Sequence, residues 1–153
     1  MKFSYVLPDP SSYSDWNSFK KDLKCLKEAG YDAVELQIAD PSTFDEPRVR
    51  KSLGAFSLPM CAFQTGASYA TLGNCLSTAD EIVRRRTIAL LRRFVDLAAR
   101  WNSVIVFGSL QGRHKDEPDI KTGSDLIHRA LAEIGKHAGE KNVVRRCSKS
   151  LFL

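Results

Sequence analysis

Apolar positions along this chain follow two rhythms that take turns. Short runs, Lys2 to Leu7, Ala33 to Ile38, Met60 to Gln64 and Ser103 to Phe107, have the length and apolar content of strands. Between them, apolar residues recur at helical spacing. Trp16, Phe19, Leu23, Leu26 and Ala29 predict a helix from about Asp15, with Ser14 as its cap and Gly30 as its left-handed stop. A weak helix is expected around Pro47 to Leu53, with Gly54 ending it. The pattern is strongest from Ala79 to Trp101, where Val83, Leu90, Leu91, Phe94, Val95 and Ala98 form one stripe, Thr78-x-x-Glu81 reads as a capping box, and Asn102 suits a positive φ. Leu126, Ile127, Leu131 and Ile134 predict a last helix over Ser124 to His137, closed by Gly139 and preceded by a polar linker from Arg113 to Thr122.

Four strand-then-helix units in a row predict a parallel sheet in sequential order with the helices outside, an α/β chain built as a partial (β/α)₈ TIM barrel of about four units. A closed barrel of that kind takes about 250 residues, and this chain has 153. Residues 1–142 read as half a barrel. Residues 143–153 read as an aberrant basic tail, disordered, because Arg145 to Leu153 keeps neither rhythm where a fifth strand is due.

Strand alternation turns this organisation into chemistry. If Val34, Leu36 and Ile38 pack against helices, Glu35 and Gln37 face the barrel interior. By the same logic Met60 and Ala62 face inward and lack a facing wall. Gln64-Thr65-Gly66 and Gly108-Ser109 fall at the carboxyl ends of the third and fourth strands, where such folds keep their binding groups. Their backbone N–H groups and hydroxyls suit a polyol or a phosphate, and equally the glycines suit a tight turn. Glu35 is open to two readings, a substrate contact or an interior carboxylate satisfied within the barrel. No P-loop and no dinucleotide fingerprint is present.

Charge and cysteine narrow the classes. The net charge is +5, but Lys141, Arg145, Arg146 and Lys149 supply four of it, and the remaining +1 is no footprint for nucleic acid. Cys25, Cys61, Cys75 and Cys147 have no C-x-x-C spacing and fit a reducing, cytoplasmic setting. No run reaches the length of a membrane span. Arg84, Arg85 and Arg86 sit at the unfavourable end of a helix dipole, and pairing with Asp80 and Glu81 or plain solvation accounts for them. His114, His128 and His137 lack metal-site spacing, and Trp16 and Trp101 fall on apolar stripes as core anchors.

Gly30-Tyr31-Asp32-Ala33-Val34-Glu35-Leu36, Gln64-Thr65-Gly66 with Tyr69 and Gly73, Arg84-Arg85-Arg86 through Asp96-Leu97-Ala98, and Val104-Ile105-Val106-Phe107-Gly108 together resemble the first half of the sugar phosphate isomerase/epimerase family, in the xylose isomerase-like TIM barrel superfamily. The resemblance covers residues 1–142. It implies a sugar or sugar phosphate as partner, with Glu35, Gln37, Gln64, Thr65, Gly66, Gly108 and Ser109 as the substrate-binding candidates. For intact relatives it also implies a divalent metal, Mn, Mg, Co or Zn, which polarises a carbonyl and hydroxyl while carboxylates move a proton between adjacent carbons. Those ligands belong to later strands, so no catalytic and no metal residue is assigned here and the chain alone is expected to hold no metal and to be inactive. The competing readings are a non-catalytic half-barrel that binds another subunit, a homodimer paired through exposed sheet edges among its forms, and, more remotely, an endonuclease IV-like repair enzyme.

Overall fold

The computed structural model describes residues 2–143 and, as backbone, 145–147. Five parallel strands, β1 (Ser4–Pro8), β2 (Ala33–Gln37), β3 (Met60–Gln64), β4 (Val104–Phe107) and β5 (Arg145–Cys147), lie side by side in sequential order. The helices α1 (Trp16–Glu28), α2 (Glu46–Ala55), α3 (Gly66–Leu72), α4 (Glu81–Trp101) and α5 (Ile120–Glu140) join them. The partial (β/α)₈ architecture read from the pattern is the one observed.

The sheet's outer face carries the core. Leu7, Val34, Leu36, Phe63, Ile105 and Phe107 are each at most 3% exposed and pack with Phe19 and Leu23 of α1, Val49 and Leu53 of α2, and Leu91, Phe94 and Val95 of α4. Burying one such side chain contributes roughly 1.5–3 kcal/mol, so this face dominates stability. Register sorts the other side chains. Val6 stands beside Glu35, Glu35 beside Ala62, and Ala62 beside Val104 on the inner face. Between Val34 and Glu35 the β2–β3 register shifts by one residue, taken up at Cys61, whose Sγ lies 3.3 Å from the Val34 carbonyl. Met60 therefore pairs with Val34 and sits by Leu53, Leu58 and Trp101 on the outer side, not inward as strict alternation predicts.

Helix ends depart from expectation where an aspartate competes. Asp15, not Ser14, caps α1 by accepting from the Ser18 N–H at 2.8 Å. Asp80 caps α4 by accepting from Ile82 and Val83, and Thr78 instead accepts from the Asp80 N–H, so the capping box does not form. Asp119 caps α5 and draws its start back to Ile120, inside the segment that reads as linker. Asp serves as well as Ser at this position, and its carboxylate also meets the positive end of the dipole. Gly54 and Gly139 lie within α2 and α5, whose exits are made by Ser57 at φ 52 and Asn142 at φ 55. Gly30 (φ 84) and Asn102 (φ 48) end α1 and α4 as expected.

Two elements have no periodic signal. Helix α3 is seven residues long, too short for a stripe, and closes on Gly73 at φ 62. Strand β5 takes three residues from the stretch that reads as disordered tail, pairing Arg145 with Ile105 and Cys147 with Phe107. A parallel ladder is made by backbone groups, so it asks for no alternation in so short a strand. For residues 144 and 148–153 that expectation lies outside the described residues.

Candidate functional site

On the inner face, three adjacent strands are tied by one carboxylate. Glu35 on β2 accepts from the Ser4 hydroxyl of β1 at 2.8 Å through Oε1 and from the Gln64 amide of β3 at 2.5 Å through Oε2. Val34 and Leu36, buried beneath helices, force this orientation by alternation. Glu35 and Gln64 are half-buried, so their polar atoms border the concave side. Charge-assisted hydrogen bonds of this kind hold a carboxylate in one rotamer and prepare it to receive a hydroxyl. Gln37 is exposed one step further along β2 and pairs in register with Gln64. Its amide crowds Gly66, where a Cβ would stand 3.1 Å from Nε2.

The other candidates are placed differently. Thr65 is fully buried, and its N–H and hydroxyl both donate to the Val106 carbonyl, at 3.3 and 3.2 Å, so it pins the end of β3 to β4. Gly108 and Ser109, half-buried, begin a short 3-10 turn after β4. There Gln111 donates to the Phe107 carbonyl at 3.0 Å. The structure thus brings together Glu35, Gln37, Gln64 and Gly66, turns Thr65 inward, and sets Gly108 and Ser109 at the end of the adjacent strand.

Around the carboxyl ends of β3 and β4, a rim forms that local patterns do not reveal. Leu76 and Ser77 donate backbone bonds to Leu110 and Gln111 at 3.0 and 3.1 Å, zipping the α3–α4 and β4–α5 connections together. Gly112 at φ 105 closes the contact, since a Cβ there would stand 1.9 Å from the Ser77 hydroxyl. The Tyr69 hydroxyl donates to Asp116 at 2.7 Å, and the Arg113 guanidinium lies 5.2 Å from the Tyr69 ring centre. Burial first, then the Asp116 carboxylate, raises the Tyr69 phenol above its ordinary pKa, which keeps it a donor. Tyr69, Thr78, Asp80, Lys115 and Asp116 border a groove of about 550 Å³ outside this rim. Ser4 and Asp116 were not among the candidates, because only register and the folded rim bring them to their partners.

The arginine run is structural. Arg84 donates to the Thr78 carbonyl at 2.8 Å, Arg85 pairs with Glu81 at 3.4 Å, and Arg86 binds Asn74 and the Leu72 carbonyl at 2.9 and 3.0 Å, covering the negative end of α3. His137 bridges α5 to Asp96 of α4 at 2.9 Å, and His114 meets Glu117 at 3.0 Å. Trp101 joins Phe44 and Phe63 in an aromatic cluster under Arg50. Among the described residues no three His, Cys, Asp or Glu side chains are placed to share a metal ion. The donor set described does not fit the divalent metal that the resemblance implies.

No family model matches the chain, and no curated protein matches it. Solved structures do. D-allulose 3-epimerase from Methylomonas sp., in complex with D-allulose, aligns with a TM-score of 0.71 at 17% identity, over 95% of this chain and 51% of that one. A 3-keto-D-glucoside 4-epimerase from E. coli gives 0.66 at 14%, over 95% and 56%. An AP endonuclease of family 2 from Brucella melitensis gives 0.68 at 15%, over 95% and 54%. At such identities the likeness is one of fold, and the chain spans about half the length of each: it has a partial TIM barrel fold, matched over about half of each of these chains.

Proposed function

We propose that this chain forms the sugar-facing half of a metal-dependent sugar or sugar phosphate isomerase/epimerase site and binds substrate without turning it over alone. The observation that carries the reading is the Ser4–Glu35–Gln64 array on the concave face of a fold shared with sugar epimerases. Glu35 orients a sugar hydroxyl as acceptor, while Gln37 and Gln64 offer amides and Gly66, Gly108 and Ser109 leave backbone close to the ligand. Thr65 acts behind them by fixing the strand end. No proton-transfer step is assigned, since one half-buried carboxylate makes no acid/base pair.

The test is saturation-transfer NMR with D-allulose and D-fructose, beside turnover assays with Mn²⁺, Mg²⁺ and Co²⁺. Sugar contact that disappears in Glu35→Leu, with no turnover, supports the proposal. Equal contact in the variant removes Glu35 from it, and turnover by the chain alone overturns it. A second reading, a non-catalytic module that binds another subunit, is favoured by the exposed apolar residues of β1. The endonuclease reading draws on a shared fold, but the charge outside the tail is only +1, a small footprint for nucleic acid. No helix among the described residues is long and apolar enough to cross a membrane, and the cysteine pattern favours a cytoplasmic setting.

A further inference from the structure

The β4–α5 connection, residues 108–119, carries two of the backbone positions proposed to face the sugar, Gly108 and Ser109, yet Leu110 is its one buried side chain. Its order comes from a neighbouring unit. Helix α3 starts at Gly66, directly after β3, and is fixed at both ends: Ser68, fully buried, donates to the Ala39 carbonyl just past β2, and Arg86 of α4 donates to the Leu72 carbonyl at 3.0 Å. Tyr69 stands on this rigid post. Its hydroxyl donates to Asp116 Oδ2 at 2.7 Å, and the same oxygen accepts from the Arg113 N–H at 2.8 Å. One carboxylate oxygen therefore closes the Arg113–Asp116 turn and moors it to α3, through bonds strengthened by its charge. From that turn the path back to β4 is short. The Gly112 N–H donates to the Ser109 carbonyl at 2.9 Å, and the Gln111 N–H donates to the Gly108 carbonyl at 3.2 Å.

We infer that Tyr69 is a positioning residue for the backbone of Gly108 and Ser109, acting through Asp116, so that α3 sets the spacing between the binding groups at the end of β3 and those at the end of β4. The inference rests on the proposed sugar site. The bonds from Leu76 and Ser77 to Leu110 and Gln111 hold only the near half of the connection. They lie on one side of Gly112, whose φ of 105 and ψ of 173 fall in a region open essentially to glycine alone. A backbone in that region persists only when its surroundings fix it from both sides, and the far side is fixed by Tyr69 and Asp116. With that mooring gone, the Gly112–Ser109 bond is the first to loosen. Both partners of the mooring belong to complete strand-helix units of this chain, so the contact does not depend on what lies beyond β5.

NMR of the full chain titrated with D-allulose separates this inference from the site it serves. Tyr69→Phe deletes one oxygen and keeps the ring beside the Arg113 guanidinium. It should speed amide exchange at Gly112 and Arg113 about tenfold and abolish the sugar-induced shift of the Ser109 amide. The Gln64 side-chain amide should still respond to the sugar, and the urea midpoint should stay near that of the unaltered chain. Asp116→Ala should reproduce these effects, and the two together should cost no more than either alone, the mark of one shared interaction. Asp116→Asn keeps an acceptor for both donors and should restore the Ser109 response. A Ser109 response in Tyr69→Phe equal to that of the unaltered chain overturns the inference while leaving the sugar site standing. So does loss of the Ser109 and Gln64 responses together with a lowered midpoint, which makes Tyr69 merely structural. No response at Gln64 or Ser109 in the unaltered chain removes the sugar site itself, and this role for Tyr69 with it.

Discussion

The two faces of one sheet are built on different physics. Outside, Leu7, Val34, Leu36, Phe63, Ile105 and Phe107 are sealed under helices and held by volume and contact area. Inside, the same strands present Ser4, Val6, Glu35, Gln37, Gln64, Val104 and Val106, none of them buried, with the small Ala62 alone covered by its neighbours at 3% exposure, and the polar side chains are ordered by directed hydrogen bonds that cross from strand to strand. Parallel sheets ordinarily have both faces covered. The difference teaches that apolar burial and directed polar bonding are divided between faces here, so a change on one should register in one measurement and barely in the other.

The largest test of that division is Phe63→Ala. Phe63 is fully buried and lies edge-on to Phe44 and Trp101, with ring centres 5.7 and 6.3 Å away. Its truncation should cost about 3–5 kcal/mol in urea unfolding. Gln37→Ala, next to it on the opposite face, should stay within about 0.5 kcal/mol, and similar losses from the two would erase the distinction between faces. Next comes Gly112→Ala, where a positive φ and the Ser77 hydroxyl leave no room for a Cβ. A loss of about 1–3 kcal/mol, with faster amide exchange at Leu76 and Ser77, would confirm that the rim is held at that residue. Glu35→Gln keeps the shape but weakens the bonds to Ser4 and Gln64. A stability change below about 1 kcal/mol, together with weakened sugar contact, is expected for a half-exposed pair; a core-sized loss would make Glu35 a structural carboxylate.

The smallest effect concerns acid. The Ser18 backbone N–H holds Asp15 below the usual carboxylate range, and hydrogen bonds from the Thr122 side chain and then its backbone do the same for Asp119. A carboxyl depressed in the folded state contributes stability above its ordinary value near 3.9, and that contribution is lost as pH falls through the lower folded value. Fraying of the first turns of α1 and α5 on acidification, absent in Asp15→Asn and Asp119→Asn, should appear in the Ser18 and Thr122 amide shifts, with the sheet's outer core unchanged.

Much of this was legible before folding because local rules operate over a few residues. The four strand-helix units and the inward direction of Glu35 and Gln37 follow from alternation and the 3.6-residue period, both intrinsic to the backbone. The cap positions were less legible, because Asp15, Asp80 and Asp119 compete with neighbouring hydroxyls and geometry alone chooses among them. Met60 was misplaced because a single register shift at Cys61 is invisible to a pattern that assumes strict alternation. The rim and β5 rest on backbone bonds between segments distant in sequence, and such bonds leave no trace in side-chain type.

By itself, then, the sequence determined the order of elements, their buried stripes and the strand on which the interior carboxylate stands, since each depends on the periodicity of one segment. Tertiary structure alone decided that Ser4 and Gln64 share that carboxylate, that Tyr69 meets Asp116 across the rim, and that Thr65 turns inward to Val106. Those pairings span 29 to 47 residues of chain, and which partner is reached depends on strand register and loop closure, quantities set by the packing of the whole sheet.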